Sequence, residues 1–287
     1  MVNNNNTEEQ DWDIIIQPKA PLFHLNLKEV WKYKDLILLM VKRDLTAIYK
    51  QSILGPVWMF IQPIFTTLIY TFTFGQANLS TDQIPPILFY LLGQTFWNYF
   101  ADCLNKTSST FIANAAVFGK VYFPRLVMPL SIVISNLIKL GIQILLLTVV
   151  YIYYYTRTDN LQPQWHLLLL LPFFIAMLGL LGLSIGILFS SVTTKYRDFT
   201  FLLSFAVQLL MFLSCVVFPA SMFTGKYETL IWLNPVTSYL EGIKYILTGH
   251  GIFDASHLIQ SCIITFLLFL ISIIIFNRTE KSFMDTV

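Results

Sequence analysis

Charge is what this sequence has least of. Only 12% of its 287 residues are Asp, Glu, Lys or Arg, against 56% apolar, and the mean hydropathy is +0.65. Those values lie far from the range of water-soluble domains and identify a membrane protein. The net charge of +2 is small and scattered, which argues against nucleic acid as a partner. Cysteine is scarce as well. Cys103, Cys215 and Cys262 stand far apart, in or beside apolar runs, so they give neither a disulfide framework nor metal spacing and read as packing residues. No metal site is expected. The sequence has no G-x-x-x-x-G-K-[ST] loop, whose backbone amides would cradle nucleotide phosphates. If ATP drives this protein, another chain binds it. The opening MVNNNNTEEQDWD has no short apolar core and no small-residue cleavage site, so it is not expected to be removed as a signal peptide.

Long apolar runs are abundant. Six of them, at about 54–75, 86–104, 126–155, 166–189, 199–219 and 257–276, lie near or above the roughly 20 residues that a bilayer core requires. Of the 18 lysines and arginines, all but four precede the first run, follow the last, or lie between the second and third or the fourth and fifth. The exceptions are Lys139, inside a run, and Arg157, Lys226 and Lys244, assigned to loops on the opposite side. The positive-inside rule then places both termini in the cytoplasm.

The stretch KRDLTAIYKQSILGPVWMFIQP, from Lys42 to Pro63, joins a basic half to an apolar one. Leu36, Leu39, Met40, Arg43 and Ala47 fit an amphipathic helix on the cytoplasmic face, with Lys42, Arg43 and Lys50 toward lipid headgroups. Gly55-Pro56 lets the chain turn into the bilayer, because glycine permits unusual backbone angles and proline in a first helical turn loses no needed donor. A plain positive anchor for the first span is the competing reading. Residues 220–256 are too apolar for an ordinary loop. Asn234-Pro235 reads as a helix start, and Val236, Tyr239, Leu240, Ile243 and Leu247 share a face until Gly249. About 21 Å of helix is too short to cross, so the segment dips in and returns, or lies flat on the outer surface.

Polar residues recur at helical spacing inside the runs. Gln94, Asn98, Asp102, Asn105 and Ser109 form one stripe, and Ser131, Ser135, Lys139 and Gln143 another; Gln62, Thr66, Tyr70 and Thr73 give a weaker third. A central lysine costs about 2.5–3.5 kcal/mol on insertion scales, so Lys139 needs a partner or water. The stripes favour a polar cavity over hydrogen bonding within a packed bundle. Asp102 lies near the end of its run and Lys139 nearer the middle of the next, so the two charges need not touch. Two enzyme-like patterns carry little. Gly182-Leu183-Ser184-Ile185-Gly186 matches a nucleophile elbow, but it sits mid-span with no histidine in reach, and with Gly179 it reads as a close helix contact. His250 and Asp254 could be the acid/base pair of a membrane acyltransferase, but they lack companions and read better as surface loop.

Four stretches in order, WKYKDLILLMVKRDLTAIYKQSILGPVWMFIQP, NAAVFGKVYFPRLVMP, TTKYRDF and WLNPVTSYLEGIKYIL, resemble the membrane subunit of bacterial polysaccharide ABC exporters. These are the type-2 permeases of O-antigen, capsule and teichoic-acid systems, and the likeness runs over nearly the whole chain from Trp31. The extension before Lys28 is longer than usual, and Gly119 stands where a second basic residue is expected. The resemblance implies an all-α membrane protein: a cytoplasmic segment over 1–53 with an N-terminal amphipathic interface helix, then a domain over 54–287 with six transmembrane helices. A re-entrant helical hairpin precedes the last span, marked by Asn234, Pro235 and Glu241. It further implies a homodimer with two copies of a cytoplasmic ATPase that holds ATP and Mg, no cofactor on this chain, and a lipid-linked glycan as substrate. The location is the bacterial inner (cytoplasmic) membrane. Coupling to the ATPase would use Arg43, Asp44 and Tyr49, then Asn114, Phe118, Lys120 and Tyr122, then Lys195, Arg197 and Asp198. The pathway would use Gln62, Thr66, Gln94, Trp97, Asn98, Asp102, Ser135 and Lys139. Phe96, Trp97, Tyr99 and Phe100 offer flat faces to sugar C–H groups, although lipid-interface belts use the same residues. A permease for a drug or small lipid is the alternative within transport.

The charge asymmetry makes a testable map. Single cysteines placed in 105–125 and 190–198 should resist membrane-impermeant thiol reagents in intact cells, and labelling at Lys120→Cys from outside would overturn the orientation.

Overall fold

The computed structural model describes residues 27–50, 55–76, 79–118 and 123–283. Two candidate coupling residues, Lys120 and Tyr122, lie outside the described residues, as do the Tyr49 side chain and residues 1–26. Among the described residues every regular element is a helix. Helices α1 (Leu27–Lys32) and α2 (Lys34–Lys50) come first. Gly55, at φ 47°, adopts a backbone angle that favours glycine, and the 3-10 turn Gly55–Val57 leads into α3 (Trp58–Gln76). The chain continues through α4 (Pro86–Ser108), the short α5 (Thr110–Ala113) and α6 (Ala115–Phe118), and α7 (Val127–Arg157). A 3-10 turn, Trp165–Leu170, precedes α8 (Leu171–Lys195). Then come α9 (Phe199–Leu213), α10 (Lys226–Leu233), α11 (Pro235–Thr248) and α12 (Ala255–Phe283).

Three helical stretches combine the length and apolarity needed to cross a membrane: Val127–Arg157, Trp165–Lys195 and Ala255–Asn277. Helix α4 has the length, 23 residues or about 34 Å, but it is too polar to qualify. Helix α9 is apolar but has only 15 residues, about 22 Å. The run expected to continue to 219 therefore leaves the helix at Leu213. The cause is local: Cys215 takes φ 54°, which an α-helix cannot accommodate, and Pro219 follows. The freed carbonyls find side-chain partners, since Thr237 Oγ1 donates to that of Leu213 at 3.4 Å and Lys244 Nζ to that of Cys215 at 2.6 Å.

Helix α4 is the axis of the molecule and packs against α3, α7, α8, α9 and α11. In lipid the hydrophobic effect does not draw helices together, so close packing and hydrogen bonds must do it. Three glycines of α8 supply the packing. Gly179 abuts the Tyr99 hydroxyl. A Cβ at Gly182 would stand 2.9 Å from the Phe100 carbonyl oxygen, and one at Gly186 only 2.6 Å from Thr107 Cβ. The contact advances in step along both helices, so α4 and α8 run parallel. Ser184, in the middle of this contact, is fully buried and donates to the Leu180 carbonyl at 2.6 Å, as a packed helical serine does and a nucleophile does not. Helix α7 runs the other way along α4, pairing Asp102 with Lys139 and Lys106 with Asn136.

Gly186→Leu should therefore lower the melting temperature of the purified protein, at a cost of about 1–3 kcal/mol or more from overpacking. Gly141→Leu is the control. No neighbouring atom lies within 4 Å of a Cβ there, and it should melt as the parent does.

Candidate functional site

Helix α2 lies on α7 through buried Met40 and Val41, with Leu36 and Ile37 half-buried beside them. Leu39 and Ala47, which the sequence pattern put on the apolar face of a membrane-surface helix, are exposed within this chain. Arg43, expected toward headgroups, is engaged by protein groups. Its Nε and Nη2 donate to Asp44 Oδ1 at 3.0 and 2.9 Å, and its Nη1 donates to Asn114 Oδ1 at 3.3 Å. The guanidinium thus fastens α2 to the α5–α6 junction.

Beside that contact a cleft of about 410 Å³ opens between α2, α4, α5 and α7. Arg43, Asp44, Lys106, Ser109, Asn114, Ser131, Ser135, Asn136 and Lys139 supply its polar lining. Lys139 Nζ donates to Asp102 Oδ2 at 2.7 Å, so the two charges do touch, which the sequence left open. Antiparallel packing of α7 on α4 places a mid-run lysine level with an end-of-run aspartate. Their side chains are 23% and 31% exposed; the pair bridges two helices, and Lys139 lines the cleft. Lys106 Nζ donates to Asn136 Oδ1 at 2.9 Å, and Asn136 Nδ2 reaches Cys103 Sγ at 3.7 Å. The sequence reading missed Lys106 and Asn136 as site residues, although Lys106 lies four residues beyond Asp102 on the same helical face.

The remaining pathway candidates are dispersed. Gln94 donates to Asn98 at 3.1 Å and keeps a buried carbonyl oxygen without a partner, as do Thr67 and Thr71 with their hydroxyls. Gln62 is exposed on α3, and Thr66 spends its hydroxyl on the Gln62 carbonyl. Phe96, Trp97, Tyr99 and Phe100 are all buried in the core, Trp97 and Phe100 with ring centroids 5.3 Å apart. They leave no ring face open to a sugar within this chain.

The coupling candidates gather at one end. Thr193 Oγ1 donates to the Ser108 carbonyl at 2.6 Å, which ties the end of α8 to the end of α4. Beyond it Lys195, Arg197 and Asp198 are exposed at the α8–α9 junction. Asn114 is buried and also donates to the Thr110 carbonyl, while Phe118 stacks on Phe123 at 5.5 Å. Arg43 joins this end to α2, so all three segments named from the resemblance lie together.

The opposite end is built on α11. Asn234 caps it by accepting from the Val236 N–H at 3.1 Å, and Gly249 closes it at φ 74°. Lys244, counted from sequence as a loop charge, is instead fully buried. It donates to Glu241 Oε1 at 2.8 Å and lies 4.1 Å from the Phe89 ring centroid. Glu241 Oε2 is buried without a partner. The acid/base reading of His250 and Asp254 also dissolves. His250 Nε2 lies 2.7 Å from the Asn160 carbonyl oxygen, whereas Asp254 accepts from the N–H and hydroxyl of Ser256. Those two bonds hold the Asp254 carboxyl below its usual range, which suits a capping carboxylate at the start of α12.

This arrangement offers a buried polar axis with the candidate coupling segments at one end. Residues 35–248 match the family described as ABC-2 type transporter. The chain belongs to that family. Individual members of known role are similar over most of their length. An O-antigen export system permease protein RfbA from Klebsiella pneumoniae is 26% identical over 255 residues, covering 88% of this chain and 94% of the relative. One from Myxococcus xanthus is 24% identical over 264 residues, covering 91% and 98%. The polysialic acid transport protein KpsM of Escherichia coli is 26% identical over 211 residues, covering 69% and 76%.

In this ABC-2 chain the Asp102–Lys139 pair can be tested as a bridge. Lys139→Leu strands Asp102 and should lower the melting temperature, at a cost in stability of about 1–3 kcal/mol given partial exposure. The double variant Asp102→Asn, Lys139→Leu should recover most of the loss; a double variant no better than the single would show that the pair carries no stability.

Proposed function

We propose that this chain is the transmembrane subunit of an ATP-driven exporter that moves a lipid-linked polysaccharide, of the O-antigen, capsule or teichoic-acid kind, across the bacterial cytoplasmic membrane. The observation that carries the reading is the likeness, over nearly the full length of both partners, to O-antigen export permeases. The internal geometry supports it. Parallel α4 and α8 with antiparallel α7 between them in sequence is the alternation that six spans require, with α3, α4, α7, α8, α9 and α12 as the spans. The encasement of α4 lets a polar helix be one of them. Helix α2 serves as the interface helix, and α10 with α11 as the re-entrant hairpin, its irregular approach at 214–219 buried in protein as non-helical backbone at membrane depth must be.

Two copies of this chain pair with two cytoplasmic ATPase subunits, which hold ATP and Mg. The end that carries Arg43, Asn114 and Lys195 to Asp198 faces those subunits, and both termini lie on that side. Nucleotide-driven closure displaces α2 and, through Arg43 and Asn114, the α4–α5 end of the axis. The substrate is loaded from the cytoplasmic leaflet and released outward.

The purified chain alone should hydrolyse no ATP, should co-purify with a separate ATPase, and its loss should leave lipid-linked glycan accumulating on the cytoplasmic side. Robust hydrolysis by the isolated chain, or unchanged surface glycan in its absence, would end this reading.

A further inference from the structure

The cleft beside α2 is lined by one cation from each of three helices, Arg43, Lys106 and Lys139, and by one carboxylate, Asp44, while Asp102, the partner of Lys139, is not part of the lining. One positive charge is left over, and it resides on Lys106. That ammonium donates to a neutral amide, Asn136, and forms no ion pair among the described residues. An unoffset cation beside two satisfied pairs is an uneconomical way to hold helices together, since a neutral side chain would bridge to Asn136 as well. It is a good way to attract an anion. Met128 and Ile132 from α7, on the same helix as Lys139, and Leu45 and Ala47 from α2 give the cleft an apolar wall as well. The volume, about 410 Å³, falls in the range of small-ligand sites.

From this we infer that the cleft binds the phosphate end of an amphiphile, with Lys106 as its principal charge contact and Lys139 and Arg43 as flanking donors. A phosphate has oxygens enough to accept from all three helices at once, which a planar carboxylate does not, and it need not displace Asp44 or Asp102 to do so. The apolar wall takes the first part of the chain that carries it. The inference rests on the exporter reading only for the source of the phosphate, which would be the diphosphate linking glycan to lipid. The occupant would touch Arg43 and Lys139 together, and so report its presence to α2 and to the α4–α7 pair.

The test uses the full-length protein in phosphatidylcholine nanodiscs, with binding read by native mass spectrometry. A polyprenyl diphosphate should bind, and Lys106→Gln should weaken it about tenfold or more, the loss expected for one charge-assisted hydrogen bond. Lys226→Gln, a cation at the other end, should bind as the parent does. Inorganic pyrophosphate should compete only weakly, because it lacks the apolar part; competition equal to that of the lipid would overturn the amphiphile assignment. Binding unaffected by Lys106→Gln would overturn the site while leaving the exporter reading to its own export assay. If phosphatidylglycerol binds as tightly as the diphosphate and with the same Lys106 sensitivity, the site stands and the glycan carrier loses its claim to it.

Discussion

A helix as polar as α4 cannot face lipid, and the rest of the bundle is arranged to keep it from doing so. Gln94, Asn98 and Asp102 would each need water or a partner in a medium that supplies neither. Five other helices surround it, and the closest contact is made where α8 offers Gly179, Gly182 and Gly186 in place of side chains. Close approach substitutes for the hydrophobic drive that is missing between helices in a bilayer. Polar content at the centre and glycine on the neighbour are thus two halves of one solution.

Much of this was legible in the residues. The bounds of α11 follow from local chemistry alone: an asparagine cap, a proline at the first position and a glycine in the left-handed conformation at the end. The glycine contact of α8 was readable for the same reason, since spacing along one helix decides it. What could not be read were pairings across the fold. Asp102 and Lys139 are 37 positions apart, and whether they meet depends on the offset of two helices, which hydropathy does not encode. Lys244 was misassigned because a charge count treats every lysine as solvated, whereas this one carries its counter-charge three positions away. The bond from Arg43 to Asn114 was likewise hidden, because it joins residues 71 positions apart.

The two ends of the molecule differ in how they are held. Around Glu241, Lys244 and Tyr239 the contacts are buried and numerous, and the loop at Gln162 and Gln164 donates backbone N–H groups to the Thr248 and Ile246 carbonyls. At the other end a buried cluster that includes Met40, Phe111 and Phe118 holds α2 and α5, and it is the α8–α9 junction at Lys195, Arg197 and Asp198 that stands exposed, tied back by Thr193 to Ser108. Exposed, sparsely bonded elements are the ones that open at low cost. A machine driven from that end would have a compliant junction where force enters and its rigid parts where the chain must keep its seal.

The buried ion pair of α11 also bears on how such a chain can be made. Glu241 and Lys244 sit one turn apart on one helix, so they neutralise each other as soon as that helix forms, before any tertiary contact exists. Helix α11 can therefore leave the aqueous insertion machinery as an electrically balanced unit. The Cys215 carbonyl that Lys244 later occupies has no such early partner. During biogenesis the segment after α9 stays unsatisfied until α11 arrives, which makes the order of synthesis, α9 first and its cap some thirty residues later, part of the folding programme.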